Sequence, residues 1–298
     1  MNAKLKTAAA VASGIVGCAA TAAGIGALLW NRSTARAVER LAPRTSTKKA
    51  EVFSPEMLAG LPDPVARYFR FVLTPGRPLA RRARIEHAGE FRGALDAPWS
   101  PFTSVEHFTA DPPGFLWDAK IRMAPLTTVR VRDSYSDGTG AMLGKVAGLI
   151  PVVDQSGSPE LASGALQRYL AEAVWLPAAL LPENGVVWEA IDATSARATL
   201  THAGTTVSLV FRFGESGEIV STSTPGRFRD VNGKGVLTPW EGVHRRYEEL
   251  GGVRVPTEGE VAWLLPEGRL TYWRGRVIRA EYEASGSGQS RRPGTPHP

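Results

Sequence analysis

Apolar and polar residues alternate along much of the middle and end of this chain. Over residues 115–123, Phe115, Trp117, Ala119, Ile121 and Met123 fall on one side of an extended segment. Asp118, Lys120 and Arg122 fall on the other. This period-two pattern predicts strands with one face on a core. Residues 129–133, 207–213, 261–265 and 270–282 alternate in the same way, and 84–92, 102–109, 186–192, 197–202, 219–224 and 243–250 also read as extended. Asp137-Gly138 is a hairpin signal. The expectation is about ten antiparallel strands with short Gly, Pro, Asp and Asn connections.

Two helical patterns interrupt the alternation. Asp63 reads as an N-cap with Pro64 at the first helical position, followed by an apolar stripe of Val65, Tyr68, Phe69 and Val72. In the second, Ser158 caps, Pro159 opens and Glu160 favours the positive end of the helix dipole. That helix is expected to run to about Leu176, where Pro177 stops it, with Leu161, Ala165, Tyr169, Ala173 and Leu176 on one face. The predicted fold is mainly β, of the α+β kind. A large curved antiparallel sheet curls into a half-barrel or open barrel, with a few packed helices and an N-terminal transmembrane helix.

That last helix rests on residues 8–30, an uncharged run between Lys4 and Lys6 on one side and Arg32, Arg36 and Arg40 on the other. As a helix it would extend about 34 Å, enough for a bilayer core. Nine of these residues are alanine and four are glycine, so Val11, Ile15, Val16, Ile25, Leu28 and Leu29 carry insertion, and Trp30 suits the interface. Three readings stand: an uncleaved single-pass anchor, a signal peptide cleaved near Ala20-Thr21-Ala22, and a lipoprotein signal. In the third, Ile15-Val16-Gly17-Cys18 resembles a lipobox and Cys18 is the lipidation site. The basic start favours an extracytoplasmic domain on a cell membrane, while the larger Lys/Arg count behind the segment pulls toward the opposite orientation. Residues 31–52 read as a basic linker, 53–283 as one β-rich domain, and 284–298 as a disordered tail.

Charge narrows the functional classes. The chain of 298 residues has a net charge of +6, but residues 1–50 alone carry +7 and the remainder −1. A phosphate-tracking face on the domain, and hence a nucleic-acid partner, is not expected. A single cysteine rules out a disulfide framework. The five histidines, His87, His107, His202, His244 and His297, show no ligand spacing, and no phosphate-binding or dinucleotide glycine loop occurs. Neither a metal nor a cofactor is expected.

Two constellations remain. Arg168 and Glu172 stand four apart on the second helix, where their heads can meet. They are either a structural ion pair or, with Tyr169 nearby, candidate catalytic groups. The strand carboxylates Asp118 and Asp133 face either solvent or a cleft. Trp117 and Trp263 lie on apolar strand faces and Trp175 on the helix that would cover such a face. With Tyr169 they are either core or the lining of an apolar pocket.

The segment Arg168-Tyr169-Leu170-Ala171-Glu172-Ala173-Val174-Trp175-Leu176-Pro177 resembles the R-Y-L-x-E-x-x-W-x-P signature of an uncharacterised bacterial membrane-anchored family, a domain of unknown function. Pro64-Val65-Ala66-Arg67-Tyr68-Phe69, Phe115-Leu116-Trp117-Asp118-Ala119, Asp133 to Gly140, and Pro239-Trp240 are similar to that family as well. The predicted architecture is similar to Lol-type lipoprotein-carrier half-barrels. The resulting expectation is a membrane-anchored envelope protein that binds an apolar or amphiphilic, lipid-like ligand. The alternatives are an envelope enzyme using Glu172 and Arg168, and an assembly partner of other envelope proteins.

Overall fold

The computed structural model describes residues 3–41, 51–124 and 127–284, with side chains in the first helix described from residue 21 onward. Three α-helices, α1 (Ala3–Leu41), α2 (Asp63–Val72) and α3 (Pro159–Glu172), accompany thirteen strands. These are β1 (Ala80–Phe91), β2 (Ser100–Thr109), β3 (Gly114–Ala124), β4 (Thr127–Ser136), β5 (Thr139–Val146), β6 (Ile150–Ser156), β7 (Val186–Asp192), β8 (Ser195–His202), β9 (Thr205–Phe213), β10 (Ile219–Val231), β11 (Lys234–Leu250), β12 (Val253–Leu265) and β13 (Gly268–Ala284). All belong to one antiparallel sheet in the order β6-β5-β4-β3-β2-β1-β13-β12-β11-β10-β9-β8-β7. The sheet curls into a half-barrel whose end strands are β6 and β7. The chain between them, α3 and three 3-10 turns, runs through the concavity.

The two strands beyond the expected set are β5 and β6. Gly140 and Gly144 interrupt the pattern of β5, and β6 is an end strand with Ile150 and Val152 exposed, so neither buries one clean face. The β4–β5 turn forms at Asp137-Gly138, where both residues have positive φ (50° and 81°), as a type I′ connection requires.

The stripe of α2 is buried throughout, and Tyr68 and Phe71 meet Phe213 and Tyr247 in the lower concavity. The helix begins at Asp63 rather than after it; Asp63 pairs with Arg67 one turn on instead of capping. Ser158 caps α3 by accepting from the Leu161 N–H at 3.1 Å. The α-helix ends at Glu172, and Ala173–Trp175 tightens into a 3-10 turn before Pro177. Because β3–β5 lie on one side of α3 and β9–β10 on the other, it is buried almost all round. A Cβ at position 140 would sit 2.5 Å from the Leu161 carbonyl oxygen, so Gly140 permits α3 to cross β5 this closely.

Residues 31–41, read from composition as linker, continue α1. They are held to the outer face of the sheet: Trp30, 2% exposed, donates from Nε1 to Asp118 at 2.9 Å, and Arg132 donates to Ser33 and Thr34. Leu41 is buried beside Gly114. Among the described residues no helix is long and apolar enough to cross a membrane. The side chains of residues 8–20, including Cys18, lie outside the described set, as does the expected tail from residue 285 onward.

Candidate functional site

Strand periodicity sends Phe102, Ser104, Glu106 and Phe108 of β2 inward, with Trp117 and Ala119 of β3 and Asp133 and Tyr135 of β4 beside them. Arg168 reaches these strands from α3. Its Nε donates to Glu172 at 2.8 Å, Nη1 to Asp133 at 2.7 Å and Nη2 to Glu106 at 3.3 Å. The guanidinium also stands 5.0 Å from the ring centres of both Phe115 and Trp117. The expected Arg168–Glu172 pair is thus half of a larger desolvated network, because β2 and β4 each supply a carboxylate.

Three carboxylates around one cation are electrostatically overfilled. Burial, and then the nearby Glu172 charge, hold the Glu106 carboxyl well above the usual carboxylate range, against the pull of Arg168. Glu106 is 1% exposed, and its Oε2 lies 4.0 Å from Nδ1 of His87. Burial, followed by the Arg168 charge, pushes His87 down to about 3, so its ring is neutral. Neither ring nitrogen of His87 has a protein partner among the described residues.

The aromatic residues form two groups. The deeper one surrounds His87, with Trp175 at 4.7 Å and Trp273 at 6.0 Å between ring centres, and Phe102 joining Trp273 to Trp117. Trp175 donates to the Pro256 carbonyl at 3.0 Å. These rings lie on a floor without side chains, where Gly89, Gly275 and Gly259 are direct neighbours across β1, β13 and β12. A Cβ on Gly275 would come within 2.7 Å of the Trp273 ring.

The second group lies toward the β12–β13 hairpin and is partly open. Trp263 stacks on Tyr272 at 5.7 Å, Phe91 meets Tyr272 edge-on, and Trp240 donates to the Tyr272 hydroxyl at 2.9 Å. Phe91, Trp263, Tyr272 and Trp273 are all half-buried. A bulge opposite Val261 and Ala262 turns Tyr272 and Trp273 toward the same concavity. Arg227 of β10 enters this group, 5.2 and 5.6 Å from the Trp240 and Trp263 rings.

The residues singled out from sequence therefore divide. Arg168, Glu172, Trp117 and Trp175 come together around the polar network. Tyr169 turns away to pack on Phe108 and donates to the Thr109 carbonyl at 3.0 Å. Trp263 belongs to the outer group. Asp133 joins Arg168, whereas Asp118 faces outward to Trp30. Glu106, His87 and Arg227 escaped the sequence reading. Glu106 carried a usable signal, since a glutamate on the Phe102–Phe108 face of a strand breaks the apolar pattern. Trp117 and Trp175, expected as core or pocket lining, are almost wholly buried, against Phe102 and Trp273 respectively. A pocket lined by Phe53, Val72, Pro177, Ala178 and Val253 holds about 30 Å³, room for water and not for an acyl chain. Among the described residues no cluster of His, Cys, Asp and Glu is arranged to hold a metal.

Residues 51–275 match the sequence profile of DUF6544, a family of unknown function. No curated protein matches the chain. Solved structures similar to it include a DUF1329 family protein from Desulfovibrio piger, with 14% identity, 76% of this chain and 92% of that one covered, and a TM-score of 0.41. Another is a LolA superfamily protein from Nitrosomonas europaea, with 11% identity, coverage of 74% and 92%, and a TM-score of 0.37.

Proposed function

This chain belongs to the DUF6544 family of unknown function, and from that premise we propose that its half-barrel binds an apolar or amphiphilic, lipid-like molecule at the outer aromatic group. The observation that carries this reading is the half-buried lining of Phe91, Trp263, Tyr272 and Trp273, beside a deeper group in which Trp117 and Trp175 are almost wholly buried. Exposed area is available there, and burying about 300 Å² of ligand gives roughly 7 kcal/mol at 25 cal/mol per Å². That gross figure corresponds to a Kd of about 10 μM, and association and ordering costs weaken it from there, so contacts beyond apolar burial are needed for tight binding. The Arg168 network does not compete as a catalytic centre in this reading, because Nε, Nη1 and Nη2 are each engaged by a protein carboxylate.

In the same reading residues 8–30 anchor the protein in a cell membrane, with the domain extracytoplasmic and close to a source of lipid. The helix continues from that segment into its docked part without a break, which supports a domain held close to that membrane. Full-length protein is expected to stay in the membrane fraction at alkaline pH, and release by carbonate contradicts the anchor. Retention lost in Cys18→Ser would instead identify a lipidated protein.

Binding is tested with full-length protein in lipid nanodiscs, titrated with methyl 2-bromododecanoate, whose bromine quenches tryptophan on contact. Saturable quenching above that of Trp263→Ala is the expected result. A linear response identical in the two proteins contradicts the reading.

A further inference from the structure

Arg227 is a half-buried cation whose side-chain contacts are all to neutral groups. Nε and Nη2 donate to the Gly164 carbonyl of α3, at 3.3 and 3.2 Å, and Nη1 donates to the Tyr272 hydroxyl at 3.2 Å. Trp240 and Trp263 flank the guanidinium. Among the described residues no carboxylate pairs with it. The nearby strand acids Glu241 and Glu260 lie on the other face of the sheet, where Arg269 engages them.

A guanidinium carries five N–H donors, and these contacts use three. The Tyr272 oxygen accepts from both Arg227 and Trp240, which leaves its own proton free to donate. Two residues along the same face of β10, Arg229 has a buried Nε with no acceptor among the described residues. Unused donors of Arg227 and Arg229 thus share one face of β10, those of Arg227 lie against aromatic rings, and no carboxylate among the described residues pairs with Arg227. A planar fork of this kind matches the paired oxygens of a carboxylate or phosphate.

We propose that Arg227, with Tyr272 and Arg229, receives the anionic head group, carboxylate or phosphate, of an amphiphile whose chain lies on Trp263, Phe91 and Trp273. The assignment rests on the binding reading above and adds the chemical class of the ligand. Gly164 ties the same arginine to α3, so a bound head group is linked to that helix through Arg227.

The test uses full-length protein in nanodiscs at pH 7.5, comparing 2-bromododecanoic acid with its neutral methyl ester. The acid is expected to half-quench at a concentration at least about tenfold lower than the ester, the scale of one charge-assisted hydrogen bond. Arg227→Met should bring the acid toward the level of the ester, with the acid losing far more than the ester, and its urea midpoint shows that the variant is folded. Arg227→Lys, which keeps charge but loses the fork, should fall between. Dodecyl phosphate should displace the acid, and inorganic phosphate at the same concentration should not. Equal binding of acid and ester by wild type overturns the head-group assignment while leaving the binding site standing. So does an equal loss of both in Arg227→Met. Displacement by inorganic phosphate overturns the amphiphile in favour of a free anion. Absence of saturable quenching by either probe overturns the binding reading itself.

Discussion

Arg168 and Arg227 both project into the concavity and both lie against tryptophan rings, yet their surroundings are opposite. Arg168 is met by three carboxylates, from β2, β4 and its own helix. Arg227 is met by a carbonyl and a phenol. The first arrangement is internally complete, so removing the arginine leaves buried carboxylates without compensation. The second is incomplete, and an arriving anion would improve it. Aromatic packing alone does not separate a structural arginine from a binding one; the count of opposing charges does.

The largest expected effect is on the complete side. Arg168→Met should cost about 3–5 kcal/mol, the usual penalty for breaking a buried ion pair from one side, read as a lower urea midpoint. A midpoint unchanged from wild type would mean that the network is solvated. Asp133→Asn removes one charge-assisted bond and should cost about 1.5–3 kcal/mol in the same assay.

The histidine beside this network adds a pH dependence. His87 is held at about 3 and the buried His244 at about 4, both below the ordinary value of 6.5. Between those values the unfolded chain binds protons that the fold refuses. Stability should therefore drop as pH falls from 6.5 toward 4, by up to about 1.4 kcal/mol per pH unit for each ring. His87→Leu should remove one proton from that slope, and an unaltered slope would place the charge elsewhere.

Glu106 behaves in the opposite sense. Its raised pKa means that the fold keeps a proton the unfolded chain releases above about 4.5, so its contribution is lost as pH rises through the folded value. Glu106→Gln, a neutral mimic, should fold within roughly 0.5 kcal/mol of wild type at pH 5 and gain on it as pH increases. A large loss at pH 5 would show that Arg168 needs this carboxylate charged.

Much of the frame was legible in the sequence. Alternation identified the strand faces that bury Phe115, Trp117 and Ile121, and the Ser158-Pro159 start located α3. The pair Arg168–Glu172 followed from a four-residue spacing. Its partners Glu106 and Asp133 are 62 and 35 positions away from Arg168, and only the curl of the sheet brings them in. Arg227 was illegible for a similar reason: its character comes from lacking a counter-charge, a property of the assembled neighbourhood. The tryptophans were identified as core or lining without a way to choose, because periodicity reports which face a ring occupies and not whether a second layer fills the space above it. The extent of α1 was masked by composition, since Arg- and Ser-rich helix and linker look alike until Trp30 finds Asp118.

The most direct test pairs the two arginines in one experiment, measuring urea midpoint and affinity for 2-bromododecanoic acid on Arg168→Met and Arg227→Met together. The account predicts a separation: Arg168→Met loses stability by about 3–5 kcal/mol, while Arg227→Met, which leaves a carbonyl and a phenol rather than uncompensated charge, loses less and drops about tenfold or more in affinity for the acid. An Arg227→Met protein that unfolds as readily as Arg168→Met, or that binds the acid as wild type does, would contradict it.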